Sequence, residues 1–167
     1  MKKLLILVSL LITTISFAGH HEKEKLSPNV AVVKAGYDAF AIGDMEAWAA
    51  VQADDVVWEI QVGLPYTGTY IGSEAVMTGV LGPIGEMWPN FKVEPIHFYE
   101  SGDVVFVHGR MIADGLDTEA LHMVTVKNGK YSRFRPFDDS AAMMKVVMVN
   151  TSKLAEDDIN AIEALYK

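Results

Sequence analysis

The first half of the chain carries apolar residues at helical spacing. Between residues 30 and 41 they fall mostly along one face of a helix, and Gly43 predicts the end of that helix. Asp44 is a favourable N-cap for a second short helix. The acidic pair Asp54-Asp55 is expected to break this second helix before the chain becomes extended.

A strand, a loop and a third helix are predicted next. Residues 56–60 are rich in β-branched and aromatic side chains, which is typical of a strand. Glycine and proline residues between 63 and 68 mark a loop. Ser73 is expected to open the third helix, and Gly82-Pro83 is expected to interrupt it.

The second half of the chain has the alternation of antiparallel strands. Residues 91–99 and 104–111 flank a Ser-Gly-Asp turn, which predicts a hairpin. A looser turn at Asp114-Gly115 leads to a strand over residues 119–126. Asn128-Gly129 is the strongest hairpin signal in the chain, and it predicts a last strand over residues 130–137. A helical pattern follows from Ser140.

The N-terminal residues are typical of a secretory signal peptide. Lys2 and Lys3 precede an apolar run, and Ser16-Phe17-Ala18 has the small-x-small pattern of a cleavage site. The run is shorter than the roughly 20 residues of a membrane-spanning helix. We therefore expect cleavage after Ala18, no membrane insertion afterwards, and a periplasmic or secreted location.

The rest of the chain predicts one domain with two appendages. Residues 19–28 are polar and are expected to form a disordered leader. The domain itself is expected over residues 29–142. Residues 143–167 predict a C-terminal helical extension, with an apolar stripe that runs to Leu165.

Charge and cysteine content restrict the partners. Removal of Lys2 and Lys3 lowers the basic residues from 14 to 12 against 22 acidic ones, which gives a formal charge of −10. Nucleic acids and anionic membranes bind clustered positive charge, so neither is an expected partner. The absence of cysteine excludes disulfides and thiol catalysis. No cofactor is expected. Among the histidine and acidic residues, only His20-His21-Glu22 in the leader has metal-ligand spacing, and the simpler interpretation of this cluster is a solvated tail.

Several short motifs resemble the SnoaL-like branch of the NTF2-like (ketosteroid-isomerase-like) superfamily, over about residues 29–142. They are Gly43-Asp44-Met45-Glu46-Ala47, Ala53-Asp54-Asp55-Val56-Val57-Trp58, Gly68-Thr69-Tyr70-Ile71-Gly72-Ser73-Glu74-Ala75-Val76, Asn128-Gly129-Lys130, and Arg133-Phe134-Arg135 with Asp138-Asp139. The resemblance implies an α+β cone, in which a curved antiparallel sheet wraps around N-terminal helices and leaves a central cavity. This scaffold carries many unrelated functions, so the site has to be argued from its residues.

The resemblance to ketosteroid isomerases, carried through the Asn128-Gly129 turn together with strand alternation, implies which side chains face the cavity. His122 and Asp138 are the polar side chains expected on the concave face. The predicted ligand-binding residues are otherwise apolar or aromatic, as in most small-molecule sites. They are Tyr37, Trp48, Trp58, Ile60, Tyr66, Trp88, Val107, Val124 and Phe134.

His122 and Asp138 are the predicted catalytic pair. By resemblance, His122 occupies the position at which ketosteroid isomerases hold a protonated Asp, and a buried His can act as a base or a donor near neutral pH. Asp138 would orient the His122 ring. The alternatives are a core His bonded to a carbonyl, and an Asp138-Asp139 pair that only caps the following helix. The His-Trp-Asp ending of SnoaL-like cyclases is absent.

Two departures argue against steroid isomerisation. The position of the isomerase's catalytic Asp aligns with Ile60, and the neighbouring Glu59 is expected to point away unless a bulge reverses its face. The position of the oxyanion-hole Tyr aligns with Gly36, one residue before Tyr37. The isomerase's own catalytic groups are therefore missing at their positions.

The sequence leaves three functions open, and it does not decide whether the protein is an enzyme. The first is binding of a small apolar or aromatic molecule with weak acid–base chemistry of the isomerase, cyclase or dehydratase kind. The second is a non-catalytic periplasmic binding or accessory module. The third is a structural homodimer joined through the convex face of the sheet, with a cavity closed by Trp58 and Phe134.

Overall fold

The computed structural model of the protein describes residues 25–148 and residue 156. The predicted signal peptide, residues 19–24 of the leader and Leu165 at the end of the apolar stripe lie outside the described residues. No helix within the described ranges is long and apolar enough to cross a membrane.

The helices and strands follow one another along the chain in this order. The elements are α1 (Pro28–Ala41), α2 (Met45–Ala50), β1 (Gln52–Ile60), β2 (Gly68–Ile71), α3 (Ser73–Val76), a π-helical turn (Met77–Leu81), α4 (Gly82–Met87), β3 (Lys92–Ser101), β4 (Val104–Ala113), β5 (Leu116–Lys127), β6 (Lys130–Asp138) and α5 (residues 140–148).

Local sequence signals set the ends of the first two helices. The Ser27 hydroxyl accepts a hydrogen bond from the Val30 amide at 3.2 Å, and Pro28 occupies the first turn, where a missing N–H costs nothing. Gly43 follows α1 with a φ of 72°, a conformation that glycine adopts without strain. Asp44 then caps α2 by accepting from the Ala47 amide at 2.9 Å, as predicted.

The six strands form one curved, unclosed sheet in the order β2-β1-β6-β5-β4-β3. β1 and β6 are parallel, and all other neighbours are antiparallel. Register shifts in β1, in β3 and between β5 and β6 mark irregularities that bend a sheet. α1 contacts β3, β4, β5 and β6, so the sheet wraps around this helix. The predicted α+β cone is confirmed.

The predicted face of each central strand is also the observed one. Every second residue of β4, from Val105 to Met111, is buried, and the same holds for β5 between Ala120 and Val126. β5 and β6 are joined at Asn128-Gly129, with φ values of 52° and 71°, as a two-residue hairpin loop of this type requires. His122 therefore faces α1.

Two predictions in the first half were wrong. β1 begins at Gln52, so Asp54-Asp55 do not end α2. They lie within the strand as exposed residues, and their carboxylates stay hydrated. Gly68, predicted as the end of a loop, instead begins the short strand β2 (Gly68–Ile71), because this segment pairs with β1.

Two turn predictions also need correction. Gly82-Pro83 does not interrupt the third helical region. The Gly82 amide instead donates to the Met77 carbonyl across a π-helical turn, and this wider turn admits a proline that has no N–H to donate. The turn at Asp114-Gly115 is tight rather than loose, because Ala113 pairs directly with Leu116.

A buried tyrosine ties α1 to the last strand. The Tyr131 hydroxyl donates to the Val33 carbonyl at 2.6 Å, and its side chain is almost wholly buried. Gly36 leaves room for this bond, because a Cβ at that position would lie 2.5 Å from the Tyr131 oxygen. The close approach of helix and sheet at this point therefore depends on a missing side chain.

Gly36→Ala is expected to lower the free energy of unfolding by about 2 kcal/mol, since the added methyl must displace Tyr131 within a packed core. Gly85→Ala is the matched control, because a Cβ at Gly85 meets nothing within 4 Å. Alanine favours a helix over glycine, so this control is expected to be neutral or slightly stabilising. Urea denaturation of both variants measures the difference, and equal stabilities would contradict the close contact.

A second prediction concerns high pH. Burial raises the pKa of the Tyr131 phenol well above its usual value. The unfolded chain releases this proton near pH 10 while the folded chain keeps it, so the unfolded state binds fewer protons above that pH. The free energy of unfolding is expected to fall there with rising pH, by about 1.4 kcal/mol per pH unit from this group.

Tyr131→Phe tests the assignment by urea denaturation at several pH values above 10. The variant is expected to lose that part of the pH slope, although it is less stable at neutral pH. Tyr99→Phe serves as the control, because Tyr99 is exposed on the outer face of the sheet. An unchanged slope in Tyr131→Phe would show that the group titrates normally in the folded protein.

Candidate functional site

The cone encloses a cavity of about 70 Å³ between α1 and the concave face of the sheet. At about 10–15 Å³ for each water molecule, this is room for several waters or a small ring. Polar groups on its wall come from Tyr37, Tyr66, His122, Tyr131 and Asp138, and the remaining side chains are apolar or aromatic. Within the described part of the chain, no lysine or arginine lines this cavity.

Tyr37, His122 and Asp138 form a chain of hydrogen bonds along the cavity wall. The Tyr37 hydroxyl lies 2.6 Å from His122 Nδ1, and His122 Nε2 lies 3.2 Å from Asp138 Oδ1. The His122 and Asp138 side chains are only 7% and 8% exposed. One helix and two neighbouring strands thus bring three titratable groups together inside an apolar cavity.

The hydrogen-bond partners of His122 determine which ring nitrogen carries the hydrogen when the imidazole is neutral. An ionised Asp138 can only accept, so His122 Nε2 carries the hydrogen and donates to it. Nδ1 then accepts from the Tyr37 hydroxyl. Both ring nitrogens are engaged, so a ligand exchanges protons with His122 only through Tyr37 or Asp138.

Burial keeps Tyr37 protonated. Loss of hydration raises the pKa of its phenol well above the usual value, and the charges of Tyr131 and Asp138 act in the same direction. Tyr37 is therefore a neutral hydroxyl that can pass a proton on, rather than a phenolate.

Gln61 holds the backbone of Asp138 in place. Its side-chain amide donates to the Asp138 carbonyl at 2.6 Å and accepts from the Asp138 amide at 3.1 Å. This two-point contact extends the pairing of β1 and β6 beyond the last backbone pair. The carboxyl group of Asp138 is thereby fixed relative to His122.

Aromatic side chains form another part of the wall. The Trp58 and Phe134 rings stack with centroids 3.9 Å apart, and Trp48 meets Trp58 edge-on at 5.7 Å. The Trp58 indole N–H donates to Gln52 at 3.3 Å, which satisfies the polar atom of this buried ring. Phe134 also contacts the edge of His122 at 5.0 Å. The stack narrows the cavity but leaves it open.

The structure brings most of the predicted site residues to one cavity. Those on its wall are Tyr37, Trp48, Trp58, Ile60, Tyr66, His122, Phe134 and Asp138. Trp88, Val107 and Val124 are buried but do not line it. Val107 and Val124 point inward as predicted, yet they lie in the fully packed core. Alternation along a strand determines which face a side chain is on, but not whether that part of the face borders the cavity. Trp88 packs edge-on against Tyr66 and donates to the Met143 carbonyl.

The positions that depart from the isomerase pattern have structural roles. Glu59 points to the outer face, where its carboxylate pairs with Arg133, and Arg133 lowers the pKa of this carboxyl. Ile60 lines the cavity in the predicted orientation. Tyr37, which follows Gly36, reaches His122, so the one-residue offset still delivers a phenol to the cavity.

Two contributors to the site were missed in the sequence. Gln61 gave no signal, since a polar residue after a strand is typical of any loop. Met143, in α5, is fully buried and lines the cavity, although it lies in the segment assigned to the extension. Asp139 caps α5 by accepting from the Ala142 amide at 2.9 Å, which leaves Asp138 free to face the cavity.

Polar side chains on the outer face of the sheet contact one another rather than the cavity. His97 stacks on His108 with ring centroids 6.1 Å apart, and Arg110 pairs with Asp117. In the part of the chain that the structure describes, no group of three histidine or acidic side chains is arranged to hold a metal ion.

Comparisons with solved structures identify the same fold. TerC, co-crystallised with polyporic acid, has 25% identity and a TM-score of 0.68 over 73% of this chain and 99% of its own. An NTF2-like protein of unknown function from Burkholderia pseudomallei has 27% identity and a TM-score of 0.67, over 73% and 98%. A putative polyketide cyclase from Sinorhizobium meliloti has 18% identity and a TM-score of 0.56, over 67% and 100%. This last similarity concerns the fold alone.

Sequence comparison supplies the family. No curated protein matches the chain. Residues 33–134 match the SnoaL-like domain, a range that contains Tyr37 and His122 and ends just before Asp138. The chain therefore belongs to the SnoaL-like domain family and has an NTF2-like fold.

Proposed function

We propose that this protein is exported, binds a small apolar or aromatic molecule in the cone cavity and moves a proton on it through Tyr37, His122 and Asp138. The observation that carries the proposal is the hydrogen-bonded chain of these three residues on the wall of an apolar cavity. TerC, with the same fold and 25% identity, was crystallised with polyporic acid. A small-molecule ligand is consistent with that similarity.

The proposed chemistry is proton transfer next to a carbonyl group. A carbon beside the ligand's carbonyl gives its proton to the Tyr37 oxygen while the Tyr37 hydroxyl passes its own proton to His122 Nδ1. The products are an enolate and an imidazolium, and the Asp138 carboxylate stabilises the imidazolium. Return of the proton to the same carbon completes an exchange, and its return to another carbon completes an isomerisation. In a dehydration, the enolate instead breaks the C–O bond of a β-hydroxyl group, which takes the proton from His122 and leaves as water.

Three features support a relay of this kind. The raised pKa of Tyr37 keeps the phenol neutral, so His122 rather than Tyr37 holds the transferred proton. Asp138 already accepts from Nε2, which stabilises the positive ring without any movement. Gln61 holds the Asp138 backbone, so the geometry exists before a ligand arrives.

Acetophenone is a suitable test ligand, because it is a single ring with protons beside a carbonyl. Proton NMR in D₂O measures the loss of its methyl signal. The wild-type protein is expected to accelerate this exchange, and His122→Gln is expected to lower the protein-catalysed rate by about 10²–10⁴-fold, as for removal of a general base. Tyr37→Phe is expected to lose most of the same rate.

Glu59→Gln is the matched control, because it removes a carboxyl group on the outer face and is expected to leave the rate unchanged. Calorimetric binding of acetophenone is measured for every variant. Binding without exchange in the wild type would identify a non-catalytic binding module. An undiminished rate in His122→Gln would contradict the relay.

Export is proposed from the N-terminal sequence, as a signal peptide cleaved after Ala18. The intact mass of protein from the periplasmic fraction is expected to correspond to a chain that begins at Gly19. Ala18→Leu is expected to impair processing, because the cleavage site requires a small residue there. A full-length mass in the cytoplasmic fraction would overturn this part of the proposal.

A further inference from the structure

The charges around the cavity restrict the ligand beyond size and apolarity. Among the residues that the structure describes, Asp138 is the only acidic one on the wall, and neither lysine nor arginine lines it. A ligand carboxylate would enter an apolar space beside another carboxylate, without a cation to pair with. Burying a second negative charge in the same small cavity as the Asp138 carboxylate is costly.

Asp138 has bonding capacity left for a ligand. Its Oδ1 accepts from His122, and Gln61 contacts only its backbone atoms. The second carboxylate oxygen can therefore accept a hydrogen bond, and the natural partner is a ligand hydroxyl group.

Tyr66 supplies the complementary group. Its ring is buried against Trp88, and no hydrogen bond from its hydroxyl to another described residue is formed. No side-chain polar atom among the described residues is both fully enclosed and unpartnered, so the Tyr66 oxygen keeps some accessible surface, and Tyr66 lines the cavity. Burial and the charge of Asp138 raise the pKa of Tyr66, which keeps the O–H as a donor. A donor in this place suits a carbonyl oxygen.

Together these groups define a class of ligand. We propose that the cavity selects an uncharged single-ring compound that carries both a hydroxyl and a carbonyl group, the hydroxyl donating to Asp138 and the carbonyl accepting from Tyr66. The inference rests on the proposed function and names its substrate class. It also excludes a cationic ligand, because an ammonium group would lose its hydration in this apolar cavity, and one contact with Asp138, already bonded to His122, does not offset that cost.

Four probes of similar size test the inference by calorimetry at neutral pH. They are meta-hydroxyacetophenone, acetophenone, meta-hydroxybenzoate and meta-hydroxybenzylamine. The wild type is expected to bind the hydroxyketone at least about tenfold more tightly than the benzoate or the amine, and about two- to tenfold more tightly than acetophenone, as for one buried hydrogen bond. Equal or tighter binding of the benzoate or the amine overturns the inference and leaves the proposed function standing.

Two variants assign the contacts. Tyr66→Phe removes only the hydroxyl and is expected to weaken both ketones about equally, by about two- to tenfold. Asp138→Asn removes the charge and is expected to reduce the discrimination against the benzoate. Unchanged selectivity in both folded variants overturns the assignment. If either variant fails to fold, the wild-type affinity order decides, and absence of binding by all four probes overturns both the inference and the ligand-binding function.

Discussion

The hydrogen bond between the Tyr37 hydroxyl and His122 Nδ1 joins the long helix to the centre of the sheet, across 85 residues of sequence. Both groups are buried, so each would cost free energy without the other. The bond therefore fixes how α1 sits in the cone, and Tyr131, bonded to the Val33 carbonyl one turn earlier, fixes a second point. The cavity is the space that remains between a helix and a sheet held at these two points.

Much of the fold follows from local signals. Asn128-Gly129 forms the turn between β5 and β6, and the register shift between Thr125 and Val126 then places Phe134 and Asp138 on the same inward face as His122. Asp44 and Asp139 act as the helix caps that their positions indicate. The turn and the caps are predictable because each depends on a few neighbouring residues. The inward face of β6 is not, because the register shift beside the turn reverses the face that plain alternation from Asn128-Gly129 would give.

The site itself is less predictable because it depends on distances between elements. Side-chain alternation along β4 and β5 predicted the correct face for Val107 and Val124, but it could not show that the cavity ends before them. The contact between Gln61 and Asp138 spans 77 residues and leaves no pattern in either segment. The start of β1 at Gln52 was hidden for a similar reason, since Gln52 pairs with the distant Tyr131 in β6, whereas the neighbouring Asp54 and Asp55 have poor strand propensity.

The parallel contact between β1 and β6 has a consequence for how the chain folds. Glu59 and Arg133, which pair across it, are 74 residues apart, and the Trp58–Phe134 stack lies beside them. Pairing over such a separation carries a large loop-closure entropy and is slow compared with hairpin formation. The β3–β6 meander can assemble from its own turns, whereas the aromatic wall exists only after the first strand docks on the last. We therefore expect assembly of the cavity to be a late event in folding, with its tryptophans as natural reporters of that step.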